Sequence, residues 1–169
     1  MRLFYGLRFR SDSLDAVEAV QNALLRQGMT GRVTRRENLH MTLAFLGEIA
    51  PDRVPVLREL LRRHLAGAGD WDLSCRALGL FPGRILHLAP EAPESLLESQ
   101  ASLAGALRRE GFSLEDRPFR PHVTLCRNCR LPDGIPEIEP LTLAVSEAAL
   151  MLSHRPDGIL TYSPLCAVT

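Results

Sequence analysis

A chain of 169 residues, 46% hydrophobic and 24% charged, has an ordinary globular composition and enough length for one good-sized domain or two small lobes sharing a core. Its 20 basic and 20 acidic side chains cancel. No global positive field therefore exists to hold long nucleic acid non-specifically, and any such partner must be gripped locally. Every one of the basic residues is arginine, which excludes Schiff-base chemistry and covalent nucleotidylation on lysine.

The first segment, residues 2–9 (RLFYGLRF), reads as a strand. Residues 11–27 read as a helix: Leu14, Val17, Val20 or Gln21, and Leu24 recur at helical spacing, Ser11 or Ser13 can cap its start, and Gly28 can end it. Residues 39–46 are a predicted strand. A second helix follows in APDRVPVLRELLRRHLAG, with Leu57, Leu60, Leu61 and Leu65 on its apolar face and Gly67 closing it. Residues 71–80 and 84–89 are expected to form a hairpin around Phe81-Pro82-Gly83. Residues 94–110 form a third amphipathic helix, stopped at Gly111. Residues 112–115 and 122–126 are strand candidates, followed by the polar loop NCRLPDGIPEIEP. Strands at 141–153 and 159–167, joined by HRPDG, close the chain. Hairpins and long helices together predict an α+β fold with mostly antiparallel sheet.

Four cysteines, Cys75, Cys126, Cys129 and Cys166, together with an apolar stretch in MRLFYGLRFR too short for a secretory signal, lead us to expect reduced thiols and a cytoplasmic protein. No apolar run is long enough for a bilayer span, so no membrane partner is expected.

The informative feature is a repetition. ENLHMTLAFLGE carries His40-Met41-Thr42-Leu43, and PFRPHVTLCRNC carries His122-Val123-Thr124-Leu125, about half a chain later. On a strand, residues i and i+2 share a face. His40 and Thr42 should therefore point one way, as should His122 and Thr124. Two such strands across a cleft would bring two imidazoles and two hydroxyls together. That set suits a phosphate diester. One neutral imidazole can take a proton from the attacking oxygen while a protonated one gives a proton to the leaving oxygen. The hydroxyls can donate to the non-bridging oxygens as charge builds there.

On these residues the chain resembles the 2H phosphoesterases, and within them the bacterial and archaeal RNA 2′,3′-cyclic phosphodiesterases, also called 2′-5′ RNA ligases. RLFYGLRF, FPGRILHLA and LMLSHRPDGILTYSPL are similar to other segments of that family. The resemblance implies a bilobal α+β fold with two pseudo-symmetric, intertwined lobes in a single domain over residues 1–169, one motif each, around a central cleft. It implies hydrolysis of 2′,3′-cyclic phosphate ends of RNA or nucleotides to 2′-phosphates, with no metal or other cofactor, and ATP-independent 2′,5′ ligation by the same site. His40 matches the proton donor, His122 the proton acceptor, and Thr42 and Thr124 the phosphate-holding hydroxyls. Arg127 matches a further phosphate-binding position, although simple alternation sends it away from the face of His122 unless a bulge intervenes. RNA fragments such as transfer-RNA halves and small cyclic nucleotides all fit as partners, and a monomer is the default expectation. His87 departs from the pattern, standing where an aromatic is expected.

Other residues bear on the site. Arginines cluster around both motifs: Arg32, Arg35 and Arg36, then Arg117, Arg120, Arg127 and Arg130, with no acidic residue from Arg117 to Pro132. The Cys126–Cys129 pair lacks the second pair that a zinc site needs, and alternation puts Cys126 on the His122 face, as part of the cleft wall. Tyr5, Phe9 and Phe119 could stack on a nucleobase, although core packing is the commoner fate of such rings. A non-catalytic module that binds RNA ends or nucleotides on the same fold is the alternative, disfavoured because binding alone does not call for a matched acid and base.

Overall fold

The structure, a computed structural model, describes residues 1–169. Eight strands, β1 (Arg2–Phe9), β2 (Thr30–Val33), β3 (Met41–Glu48), β4 (Asp72–Phe81), β5 (Ile85–Glu91), β6 (Val123–Arg130), β7 (Leu141–His154) and β8 (Thr161–Val168), alternate with three helices, α1 (Ser11–Arg26), α2 (Val54–Leu65) and α3 (Glu94–Arg109). All pairings are antiparallel. The fold is α+β, as the alternation of hairpins and helices predicts.

The long strand β7 joins the sheet together. Its first residues pair with β4, from Cys75↔Leu141 to Asp72↔Ala144. Its later residues pair with β1, from Phe9↔Val145 to Leu3↔Leu152, and with β8. The strand order is β2-β6-β5-β4-β7-β1-β3, with β8 also on β7. Strands from both ends of the chain thus share one side of the sheet, while β2 crosses over to pair with β6.

The helices cover this sheet through the faces their periodicity marks. Leu57, Leu60, Leu61 and Leu65 of α2 are all buried, as are Leu96, Leu103, Ala106 and Leu107 of α3. Leu61, Leu65, Leu73, Leu88 and Leu103 are essentially without solvent contact, each contributing about 2 kcal/mol of apolar transfer free energy. Tyr5 belongs to the same core: its hydroxyl donates to the Leu57 carbonyl at 2.8 Å, and burial pushes the phenol's pKa up. No helix is long and apolar enough to cross a membrane.

Three local expectations are corrected, and one strand is new. Residues 112–115 form no strand, and Phe112 instead turns into the core. The short β2 is unpredicted: its Gly31 and Arg32 carry no strand pattern, and pairing with β6 creates it. Neither Ser11 nor Ser13 caps α1 through its side chain; Ser13 Oγ accepts from the Ala144 amide of β7 at 2.9 Å, pinning the helix to the sheet. Finally, β3 and β6 begin one residue after the motif histidines, so His40 and His122 each sit immediately ahead of a strand.

Candidate active site

The two His-x-Thr segments have the same local architecture. In β3, Thr42 pairs with Gly6 but Ala44 pairs with Tyr5, leaving Leu43 as an extra residue. In β6, Thr124 pairs with His87 but Cys126 pairs with Leu86, leaving Leu125 as the extra residue. Each is a β-bulge, which resets the alternation of faces. The burial follows: Leu43 and Ala44 are buried in succession, as are Leu125 and Cys126, after which Phe45 and Arg127 are exposed. Both bulged carbonyls are satisfied by a helix glutamine. Gln100 of α3 donates to Leu43 O at 3.0 Å, and Gln21 of α1 donates to Leu125 O at 3.0 Å. The Thr34 amide adds a second bond to Leu125 O at 2.8 Å.

This reset corrects one expectation and supplies what another required. Cys126 does not line the cleft; it is fully buried beneath β2, where Gly31 passes so close that a Cβ there would lie 2.7 Å from its Sγ. Arg127 moves onto the face of Thr124, the outcome for which a bulge was needed, and both line one cleft with His40, Thr42 and His122. That cleft has a volume of about 1090 Å³.

The two imidazoles are oriented alike. His40 Nδ1–H donates to the Asn38 carbonyl at 2.7 Å, and His122 Nδ1–H donates to the Arg120 carbonyl at 2.8 Å. Each bond reaches two residues back, fixes the neutral tautomer and leaves Nε2 as the free basic atom. His40 Nε2 accepts from the Thr42 hydroxyl at 3.0 Å. Each ring is walled by aromatic neighbours. Phe4 and Tyr162 lie 5.0 and 4.9 Å from His40, and Phe81 and His87 lie 5.0 and 5.8 Å from His122, between ring centroids. Burial pushes His40 down to about 4, partly offset by the bond to Asn38 and reinforced by the charges of His122 and Arg127. The two histidines are thus close enough for the charge of one to act on the other.

The remaining arginines divide. Arg32 and Arg35 line the cleft. Arg36 is drawn into ion pairs with Asp15 and Glu18 of α1, Arg117 pairs with Glu115, and Arg120 lies over the Phe81 ring at 5.1 Å. Arg130 is exposed outside the cleft. Cys126 and Cys129 are buried free thiols.

Of the aromatics singled out from sequence, Tyr5 and Phe9 are core residues and Phe119 packs against the core. The rings that do line the cleft are Phe4, Phe45 and Tyr162. Simple alternation sends Phe45, three residues after Thr42, away from the cleft, as it does Arg127, three after Thr124; the bulge in each strand turns them inward. Tyr162 and His154 had no readable signal, because the β7–β8 hairpin brings them in from more than a hundred residues beyond the first motif and more than thirty beyond the second. His87, given no role from sequence, is buried and stacked on Phe81 at 3.8 Å. Gly79 makes room for it, since a Cβ there would lie 2.4 Å from its Nε2.

Comparison with known proteins gives a consistent set of likenesses. The family profile described as the 2′-5′ RNA ligase superfamily matches residues 9–157. The chain is 32% identical over 145 residues to an RNA 2′,3′-cyclic phosphodiesterase of Escherichia coli (strain K12), covering 80% of this chain and 77% of the relative. It is 27% identical over 137 residues to a protein of the same description from Thermotoga maritima, covering 79% and 73%. The crystal structure of E. coli LigT complexed with 3′-AMP superposes with a TM-score of 0.79 at 26% identity, covering 99% of this chain and 98% of that one.

Proposed function

The chain belongs to the 2′-5′ RNA ligase superfamily, and from that premise we propose that it hydrolyses the 2′,3′-cyclic phosphate ends of RNA or nucleotides to 2′-phosphates by two-histidine acid–base catalysis. The observation that carries the mechanism is the matched pair of bulged strands, each delivering a histidine, a threonine hydroxyl and one further side chain to a single cleft. The relatives described as RNA 2′,3′-cyclic phosphodiesterases and the LigT complex with 3′-AMP support the substrate class.

In this reading the cyclic phosphorus lies between the two Nε2 atoms. Neutral His122 takes a proton from water as the water oxygen bonds to phosphorus. The P–O3′ bond breaks, and protonated His40 gives its proton to O3′. The product is a 2′-phosphate, and solvent exchange resets the two rings. Each proton transfer is worth about 10²–10⁴-fold. Thr42 and Thr124 donate to the non-bridging oxygens, and Arg127 adds a planar, bidentate-capable charge. With an RNA 5′-hydroxyl in place of water, the same steps form a 2′,5′ linkage without ATP, and abundant water makes hydrolysis dominant. The shared bulge geometry also supports a single domain of two intertwined lobes, each supplying one motif. Transfer-RNA halves are one RNA of the right chemistry.

The test is turnover of 2′,3′-cyclic AMP in excess EDTA. Formation of 2′-AMP, lost in both His40→Ala and His122→Ala, is the expected result. Full activity in either variant, or a 3′-phosphate product, would overturn the mechanism. RNA halves bearing a cyclic phosphate and a 5′-hydroxyl measure the ratio of ligation to hydrolysis in the same assay.

A further inference from the structure

We propose that Asn38 is a positioning residue for His40: its main chain orients the imidazole, and its side chain clamps the β7–β8 hairpin so that Tyr162 closes over the ring. The proposal rests on the function above for its significance, and on the following geometry for its substance. Asn38 is buried, with 7% of its surface exposed, two residues ahead of His40. Its carbonyl accepts from His40 Nδ1. Its amide makes two bonds in the opposite direction: Nδ2 donates to Leu160 O at 2.8 Å, and Oδ1 accepts from the Tyr162 amide at 3.1 Å.

That pair of bonds imitates a strand neighbour. One side-chain amide presents a donor and an acceptor to the acceptor and donor of residues 160 and 162, at the start of β8. Arg35 supplements the clamp, donating to Leu160 O at 2.7 Å. The consequence falls on the next side chain: Tyr162 sits edge-on to His40 at 4.9 Å and to Phe4 at 5.1 Å, completing an aromatic triangle around the imidazole. One residue therefore sets which ring nitrogen faces the substrate and how much water reaches the ring.

The second motif lacks this device. Arg120 occupies the place equivalent to Asn38 and supplies the same carbonyl, but its guanidinium lies over Phe81 and clamps no strand. A role confined to backbone geometry would not need an amide in one copy only. Asn38 thus makes the surroundings of two similar histidines unequal.

Among charged and titratable groups, His122 and Arg127 of the second motif act on the charge of His40, and Arg2, Arg32, Arg35, Glu48, Glu115, His154, Arg155 and Tyr162 line the same cleft. Replacing Asn38 removes none of these groups but can displace those on the hairpin; Tyr162→Ala, which leaves the Asn38 clamp in place, isolates the effect of solvation. The experiment is an NMR titration of the imidazole nitrogens in the ligand-free protein. Asn38→Ala should raise the His40 midpoint by about one pH unit toward its ordinary value, as water replaces Tyr162. Tyr162→Ala should reproduce the shift, and Tyr162→Phe, which keeps the ring, should not. Asn38→Ser, too short to span both bonds, serves if the alanine variant does not fold. An unmoved His40 midpoint in the folded Asn38 variant overturns the proposal. Because no substrate is present, failure of cyclic-phosphate turnover would overturn the proposed function and leave this test intact.

Discussion

Binding of the phosphate product should protonate His40. In the empty cleft burial holds this imidazole at about 4, so about one molecule in a thousand carries the proton at pH 7. A proton donor needs a midpoint of at least about 6, a rise of two units, which corresponds to about 3 kcal/mol. A phosphate monoanion about 4 Å from the ring, at an effective dielectric of about 20, supplies about 4 kcal/mol. The anion is therefore sufficient to arm its own acid. By linkage a rise of two units means that it binds about 100-fold more tightly to the protonated ring, so affinity should rise as pH falls through the bound midpoint. Titrating the His40 nitrogens by NMR with saturating 2′-AMP measures both quantities. A midpoint that stays near 4 in the occupied site would refute the reasoning and exclude His40 as the acid.

Three further outcomes follow from the same geometry. The depressed value of His40 means that the unfolded chain binds the proton first, so up to about 3 kcal/mol of stability present above pH 6.5 is lost as pH falls toward 4; urea midpoints at pH 7.5 and 4.5 should show a smaller loss in His40→Gln than in wild type. Gly31→Ala puts a Cβ 2.7 Å from Cys126 Sγ and 2.9 Å from the Arg127 carbonyl at a backbone φ of +139°, and should cost about 3 kcal/mol, visible as a lowered melting temperature; unchanged melting would contradict the packing of β2 on the bulge. Phe45→Ala and Arg127→Met remove the two side chains that the bulges turn into the cleft. Each should raise KM for 2′,3′-cyclic AMP about tenfold, a loss of about 1.4 kcal/mol per contact, with normal melting; an unaltered KM in both would show that neither touches the substrate.

The site was legible in the sequence where chemistry and period agree. His40 with Thr42, and His122 with Thr124, need only that residues two apart share a face, and the repetition marks them as a pair. Legibility stopped at Leu43 and Leu125. A single inserted residue reverses the faces beyond it, so the same rule that placed the threonines misplaced Cys126 and left Arg127 waiting on a bulge. The helices α1, α2 and α3 were readable because their apolar residues recur at helical spacing over many turns. Strand β2 was not, because four residues containing Gly31 and Arg32 become a strand only by pairing with β6. The roles of Ser13, Gln21, Asn38 and Gln100 were hidden for a related reason. Each polar side chain satisfies a main-chain group of a distant segment, and such partners are set by topology rather than by local pattern.

The most direct test of the account is a crystal structure with phosphate or vanadate in the cleft. Nε2 of His40 and Nε2 of His122 should lie about 3 Å from two different oxygens of one anion, with the hydroxyls of Thr42 and Thr124 on the others. An anion held by only one of the imidazoles, with the second ring too far to reach it, would contradict the claim that the two motifs act on a single phosphorus.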